Sequence, residues 1–395
     1  MQTATPSAKT LFLNMAHFLD HLFMLIYATA VITIAVEFGK TYGEILVFAT
    51  PGFVLFGAMA LVFGWLGDHW GRHRLILIFF IGIGLSAVMT GFADGIWQIG
   101  AGLSAIGLFA AIYHPVGIPM LVQGLEKPGK TLGINGVFGN LGVAAAPLFV
   151  GAIAVTFGWR AAFIAPGVVS IVLGLLFWKL VPADPPIKSK TKAVASMDEA
   201  FVPGWRHVLG VIAVVTLLGG LIFNSTTVSI PKLFEERLAD SGPDFLSYTA
   251  MAAIVYAVAS LAQVIAGSAV DRMSAKSLIV GIVLSQFIVF FGVAFSEGLS
   301  VFALALLGMS CVFGQIPIID TLITRYVPDS HRGKVFSIRY LLNLGVGAMA
   351  VPLISYLHQW GGGFTTLFQV LGSCAVVMAV AAVTLPRKPV ETSLS

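Results

Sequence analysis

The feature that most constrains this chain is the recurrence of unbroken apolar runs, each about 20 residues or longer and separated by short polar stretches. A helix needs about 20 apolar residues to cross roughly 30 Å of hydrocarbon, and only helices or closed barrels satisfy their backbone polar groups there. The runs lack the alternation of a barrel strand, so they read as transmembrane helices. The punctuation places twelve spans at 11–36, 45–66, 75–93, 96–121, 132–157, 161–182, 207–231, 245–269, 277–296, 299–323, 335–358 and 364–385. The expected fold class is therefore an all-α membrane protein. Composition agrees, with 58% hydrophobic and 10% charged residues and a mean hydropathy of +0.95, far outside the soluble range.

An even number of spans puts both termini on one side. Most of the 22 Lys and Arg fall in the amino terminus, the loops at 67–74, 122–131, 183–206, 270–276 and 324–334, and the carboxyl tail. The opposite loops hold Lys40, Arg160, Lys232 and Arg237, and Arg339 lies inside a span. The positive-inside rule makes both termini cytoplasmic and the host a cell inner membrane. This topology explains the net charge of +4 without a nucleic-acid partner. The first apolar run is longer than a signal-peptide core and reads as a retained span. Cys311 and Cys374 both lie within spans and suggest neither a disulfide framework nor a metal cluster.

The longest polar interruption divides the spans six and six, giving a bundle at 1–182, a cytoplasmic linker at 183–206 and a second bundle at 207–395. The halves echo one another. GWLGDHWGR (64–72) after span two is matched by GSAVDRMSAK (267–276) after span eight, and NLG recurs at 140–142 and 343–345. IYATAVITI (26–34) likewise resembles IFNSTTVSI (222–230). Repeated six-span halves are what transporters rock around a central site near the bilayer midplane.

GWLGDHWGRHR resembles the Gly-x-x-x-Asp-x-x-Gly-Arg-x-Arg loop signature of the major facilitator superfamily. YHP (113–115), GWRAAF (158–163) and the Ser-to-Ile-Pro pattern ending at Pro231 look most like its fosmidomycin-resistance type of drug:proton antiporter. The resemblance implies twelve helices in two pseudo-symmetric bundles, alternating access, and spans one, four, seven and ten lining a central cavity. In the loop, Gly64 and Gly71 permit a tight turn, while Asp68 can accept backbone N–H bonds from a neighbouring helix and Arg72 can neutralise it. Asp68, Arg72 and Arg74, with Asp271 and Arg272 at the echo, are assigned to gating. GVAAAPLFVG (142–151) resembles the exporter motif of span five, with Ala146 and Val150 in place of glycines. Gly142, Pro147 and Gly151 are its expected helix-packing residues.

Within span one, His17, Asp20 and His21 share one helical face. Asp20 lies about 14 Å below the span's start and His114 about 12 Å from the cytoplasmic end of span four, so the two are level. A charged carboxylate at that depth is costly and is retained mainly for a task. Its protonation can respond to which side the cavity faces, which is the requirement for proton coupling. Asp20, His21 and His114 are the coupling candidates. The same histidines with Asp20 are also a competent ligand set for a divalent metal ion, an alternative cargo. His17, Phe23, Tyr27, Tyr113, His114, Phe223, Asn224 and Gln315 form the expected substrate lining, suited to a small amphiphilic or anionic organic compound. Asp320 and Arg339 are placed to meet as an ion pair on spans ten and eleven, with a gating role.

GLEKPGKT (124–131) has the letters of GxxxxGK[ST] but joins two long apolar runs, without the preceding strand that a phosphate-cradling loop requires, and no serine elbow is present, so the chain reads as a transporter and not an enzyme. It is expected to need no cofactor and to act as a monomer on a small molecule and protons within the lipid bilayer. Export in exchange for protons is the leading expectation, and uptake of an organic anion with protons is the nearest rival.

Overall fold

The computed structural model describes residues 8–125, 129–183, 201–238 and 244–386. The expected linker at 183–206 and both termini therefore lie largely outside the described residues. By contact, the chain forms two compact units, Met1–Ser189 with Pro243–Ala253, and Lys190–Gly242 with Ile254–Ser395.

The first unit is built from α1 (Ala8–Glu37), a short α2 (Tyr42–Leu46), α3 (Thr50–Trp70), α4 (Arg72–Gly91), α5 (Ile96–Ala110), α6 (Ile118–Val122) and α7 (Gly129–Leu180). The second holds α8 (Trp205–Arg237), most of α9 (Phe245–Val270), and α10 (Ala275–Phe295), α11 (Leu299–Tyr326), α12 (Asp329–Trp360) and α13 (Gly363–Val383). Among the described residues, 11 helices are long and apolar enough to cross a membrane. One of them, Lys130–Leu180, has 51 residues, about 77 Å at 1.5 Å per residue and more than two bilayer cores. It breaks at Gly158, where φ 76° and ψ 164° are open only to glycine. The two pieces are spans five and six, so the described helices provide twelve crossings.

Local chemistry sets several of the element boundaries. Thr41 and Glu44 form a capping box, the Thr41 hydroxyl accepting from Glu44 N at 3.3 Å and the Glu44 carboxylate from Thr41 N at 2.8 Å. Asp244 caps α9 by accepting from Ser247 N at 2.8 Å, and hydrogen bonding from the Ser247 side chain and then its backbone N–H holds the Asp244 carboxyl below the ordinary aspartate range. Gly71, at φ 97°, lets the chain turn between α3 and α4 within one residue.

Span four departs from the single helix expected at 96–121. It stops at Ala110, continues as one π-helical turn over Tyr113–Gly117 and resumes at Ile118. Pro115 explains the break: it has no N–H to donate to the preceding turn, and its ring collides with the carbonyl four residues earlier.

Helix α1 is the hub of its unit, with 78% of its apolar window buried against 33–61% for the other spans. Glycines allow the close approaches. A Cβ on Gly84 of α4 would stand 2.7 Å from the carbonyl oxygen of Gly167 on α7, so only hydrogen fits there. Leu61, Trp65, Leu85, Met89, Val264, Ile265, Ile288 and Val380 face outward from the packed units. Such an apolar exterior suits lipid and would drive aggregation in water.

Candidate functional site

Three elements of the first unit converge on one buried polar cluster. From α1 come Asn14, His17, Asp20 and His21, spaced three or four residues apart along one stripe. The π-helical turn supplies Tyr113 and His114. Helix α7 supplies Asn135, together with Gly139 and Gly142.

Asp20 is fully buried, and Nε2 of His114 lies 3.3 Å from its Oδ2. That is an ion-pair distance, yet neither carboxylate oxygen takes a well-aligned hydrogen bond from any described residue. A bare anion in this position would be unaffordable. The pair is tolerated with Asp20 neutral, or with Asp20 charged beside a protonated His114. These two states carry the same net charge and differ only in which partner holds the proton.

The other groups are tied more firmly. His17 Nδ1 lies 2.8 Å from the Asn135 carbonyl oxygen, and His21 Nε2 lies 3.2 Å from His17 Nε2. The Asn135 amide donates to Asn14 Oδ1 at 2.9 Å and to the Tyr113 hydroxyl at 2.8 Å. Tyr113 also stacks on the His17 ring, with centroids 4.8 Å apart. A Cβ at Gly139 would stand 2.6 Å from His17 Nε2, and one at Gly142 would stand 3.2 Å from His21 Cβ. Absent side chains on α7 thus make the room that the two imidazoles occupy. Gly142 has the packing position expected of it, and Gly139 shares that position unforeseen.

His17, Asp20, His21 and His114 are brought together as the sequence proposed, and Tyr113 joins them as a supporting residue. Phe23 and Tyr27 are packed inside the first unit. They are only 1% and 3% exposed, and Tyr27 spends its hydroxyl on the Ile45 carbonyl at 2.6 Å. Asn135 and Asn14 went unnoticed in sequence. Asn14 stands three residues before His17 on the same stripe, a signal that could have found it, whereas Asn135 carries none. His17, His21 and His114 each offer a ring nitrogen within 4.8 Å of the others, so these three are the residues able to hold a metal ion. Cys311 and Cys374 are free thiols on α11 and α13, outside this unit.

In the second unit, Gln315 is 4% exposed and accepts from Gln286 Nε2 at 3.1 Å. Asn224 donates to the Gly220 carbonyl at 2.8 Å, and Phe223 packs on Phe313 with centroids 5.4 Å apart. This is a neutral hydrogen-bonding surface with aromatic support. Gln286 is a further buried polar residue that the sequence reading passed over.

The loop signatures are unequal. Asp68 pairs with Arg72 four residues on, at 3.1 Å, and accepts no backbone N–H among the described residues, contrary to expectation. The reason is register: Arg72 opens α4 immediately past Gly71 and reaches back one turn to the carboxylate. Gly64 packs 3.4 Å, measured from an added Cβ, from the Pro115 side chain, and Arg74 is exposed. Asp271 and Arg272 are exposed and form no ion pair among the described residues. There, Arg325 donates to the Val270 carbonyl at 2.9 Å and ties α11 to the end of α9. Asp320 and Arg339 are paired across α11 and α12. Pro147 lies inside α7, and a Cβ at Gly151 would collide with the Thr249 side chain. Glu37, not singled out from sequence, receives Trp159 Nε1 at 2.6 Å and Arg160 at 2.7 Å. The GWRAAF segment is thereby fastened to the end of α1.

A family model described as Major Facilitator Superfamily matches residues 13–350 and 242–395. Among curated proteins, the multidrug resistance protein MdtG of Rahnella sp. (strain Y9602) is 24% identical over 319 residues, 80% of this chain and 77% of that protein. The probable sulfoacetate transporter SauU of Cupriavidus necator is 28% identical over 174 residues, 43% of this chain but only 39% of that protein. Among solved structures, a D-xylose–proton symporter superposes with a TM-score of 0.75 at 17% identity, covering 96% of this chain and 97% of that one. A bacterial homolog of the human lysosomal transporter Spinster, inward-facing and unoccupied, gives 0.71 at 15% identity over 95% and 94%. Identities this low show a shared fold and nothing finer. Two bundles of long apolar helices, the loop signature at 64–74 and a family match across nearly the whole chain lead to one conclusion: this multi-pass membrane protein belongs to the major facilitator superfamily of transporters.

Proposed function

We propose that this transporter exports a small organic compound across a bacterial inner membrane in exchange for protons, working as a monomer by alternating access. The bundles at 1–182 and 207–395 rock about the site, with both termini and the linker at 183–206 on the cytoplasmic side. One observation carries the reading: Asp20, fully buried, stands 3.3 Å from a histidine and lacks any well-aligned hydrogen bond among the described residues. A group so placed can release its proton only when water or an unprotonated imidazole reaches it to take that proton, so its charge follows the conformational cycle. His114 and His21 tune that proton. His17 and His114 are the solute contacts of the first bundle, and Phe223, Asn224 and Gln315 are candidate solute contacts within the second. Asp68–Arg72 and Asp320–Arg339 gate the cycle.

Export is supported by the MdtG-type relatives, which are named for multidrug resistance, and by the exporter-like GVAAAPLFVG stretch on α7. A second reading, proton-coupled uptake of an organic anion, is favoured by the relative named as a sulfoacetate transporter. Reconstituted vesicles with an imposed pH gradient separate the two by the direction of flux. In the same vesicles Asp20→Asn should abolish gradient-driven flux while leaving solute counterflow. Coupling that survives this substitution removes Asp20 from the mechanism.

A further inference from the structure

The three imidazoles of the cluster are prepared for something other than a proton. A carbonyl oxygen only accepts, so the 2.8 Å contact between His17 Nδ1 and Asn135 O places the ring proton on Nδ1 and the lone pair on Nε2. His21 Nε2 lies 3.2 Å away from that lone pair. Two nitrogens held about 2.0–2.1 Å from one tetrahedral ion sit roughly 3.3 Å apart, so this pair already stands at the separation a shared ion demands. His21 needs only to carry its proton on Nδ1. The third imidazole, His114, keeps a ring nitrogen within 4.8 Å of both and must close by at most about 1.5 Å to complete the set.

The surroundings fit as well. Asp20 lies beside His114 Nε2 at 3.3 Å, the carboxylate–histidine arrangement that orients metal-binding imidazoles and raises their basicity. Its negative charge also offsets part of the cost of burying a dication. Tyr113, stacked on His17 at 4.8 Å, and the Asn135 carbonyl hold that ring in place. Three nitrogens and a single carboxylate form a set for borderline ions and a poor one for calcium or magnesium, which require oxygen.

We propose that His17, His21 and His114 together bind one imidazole-preferring divalent ion of the zinc, nickel, cobalt or copper class, with Asp20 as the orienting carboxylate behind His114. Such an ion bolts α1 to the π-helical turn of span four. The site requires neither a direction of transport nor proton coupling, and it is read without a gradient, so its failure and that of the proposed function are distinguishable.

The test is zinc titration of the purified full-length transporter by calorimetry and thermal unfolding, with copper(II) electron paramagnetic resonance on the same preparation. Zinc should bind one to one and raise the melting temperature. His21→Gln should weaken binding at least about tenfold, and Asp20→Asn by about tenfold, the range of an outer-shell carboxylate. The control His358→Gln, which alters a histidine paired with Glu236 in the other unit at 2.7 Å, should leave affinity unchanged. Copper should show splitting from several nitrogens in the unmodified protein, a readout that no misfolded variant can obscure. Absence of zinc binding, unchanged affinity in both His21→Gln and His114→Gln, or a copper spectrum without multiple nitrogens overturns the proposal.

Discussion

Asn135 shows how one residue organises this site without titrating. Its carbonyl sets the tautomer of His17, and its amide joins Asn14 to Tyr113. Asn14, Tyr113 and Asn135 are 5%, 0% and 2% exposed, so water cannot replace a lost partner. Leaving a buried polar group unsatisfied costs about 1–3 kcal/mol, whereas a single interhelical hydrogen bond in a membrane bundle is worth about 0.6 kcal/mol on average. Asn135→Leu removes the amide that Asn14 and Tyr113 share and should destabilise by about 2 kcal/mol. Tyr113→Phe removes one hydroxyl and should cost about 1 kcal/mol or less. Thermal unfolding in one detergent would rank the two, and the reverse order would mean that Asn135 is not the hub.

At the scale of elements, the π-helical turn of span four is the decisive feature. Pro115 interrupts the helix at the point where His114 must meet Asp20, and π-turns occur frequently at functional sites for this kind of re-aiming. Pro115→Ala restores a backbone donor and should raise thermal stability or leave it unchanged. It should also rotate His114 away from α1 and cut transport at least about tenfold, given how steeply activity falls with misplacement of about 1 Å. Transport at the original rate in a stable Pro115→Ala protein would show that the turn does not position the histidine. Span count, the break at Gly158 and the stripe of Asn14, His17 and Asp20 on α1 are readable locally, because helical periodicity and glycine conformation depend only on neighbouring residues. The break at Pro115 was readable in principle, but a continuous apolar run masked it.

For the whole molecule, the question is whether the paired charges at the loops serve the transport cycle or merely decorate the surface. The Asp68 side chain is 63% exposed, and an exposed ion pair contributes at most about 1 kcal/mol. Asp68→Asn should therefore leave the melting temperature nearly unchanged. As a gate, it should slow solute counterflow at least about tenfold, and the exchange Asp68→Arg with Arg72→Asp should recover part of the rate. A full rate in Asp68→Asn would reduce the pair to a solvated turn. Among the described residues the echo at Asp271 does not repeat the ion pair, so an equivalent substitution there should have the smaller effect.

The sequence by itself determined that the chain is a bundle of membrane helices and which titratable residues share the stripe on α1. These follow from hydrophobic run length, glycine and proline chemistry and the period of the helix, all of them local properties. The tertiary structure alone decided that His114 closes on Asp20, that Asn135 arrives from α7 to hold His17, and that Tyr27 turns to the Ile45 carbonyl. Those outcomes depend on the rotation and register between helices. Glycines that let backbones touch and a proline that redirects a turn set that register, and no periodicity within a single helix records it.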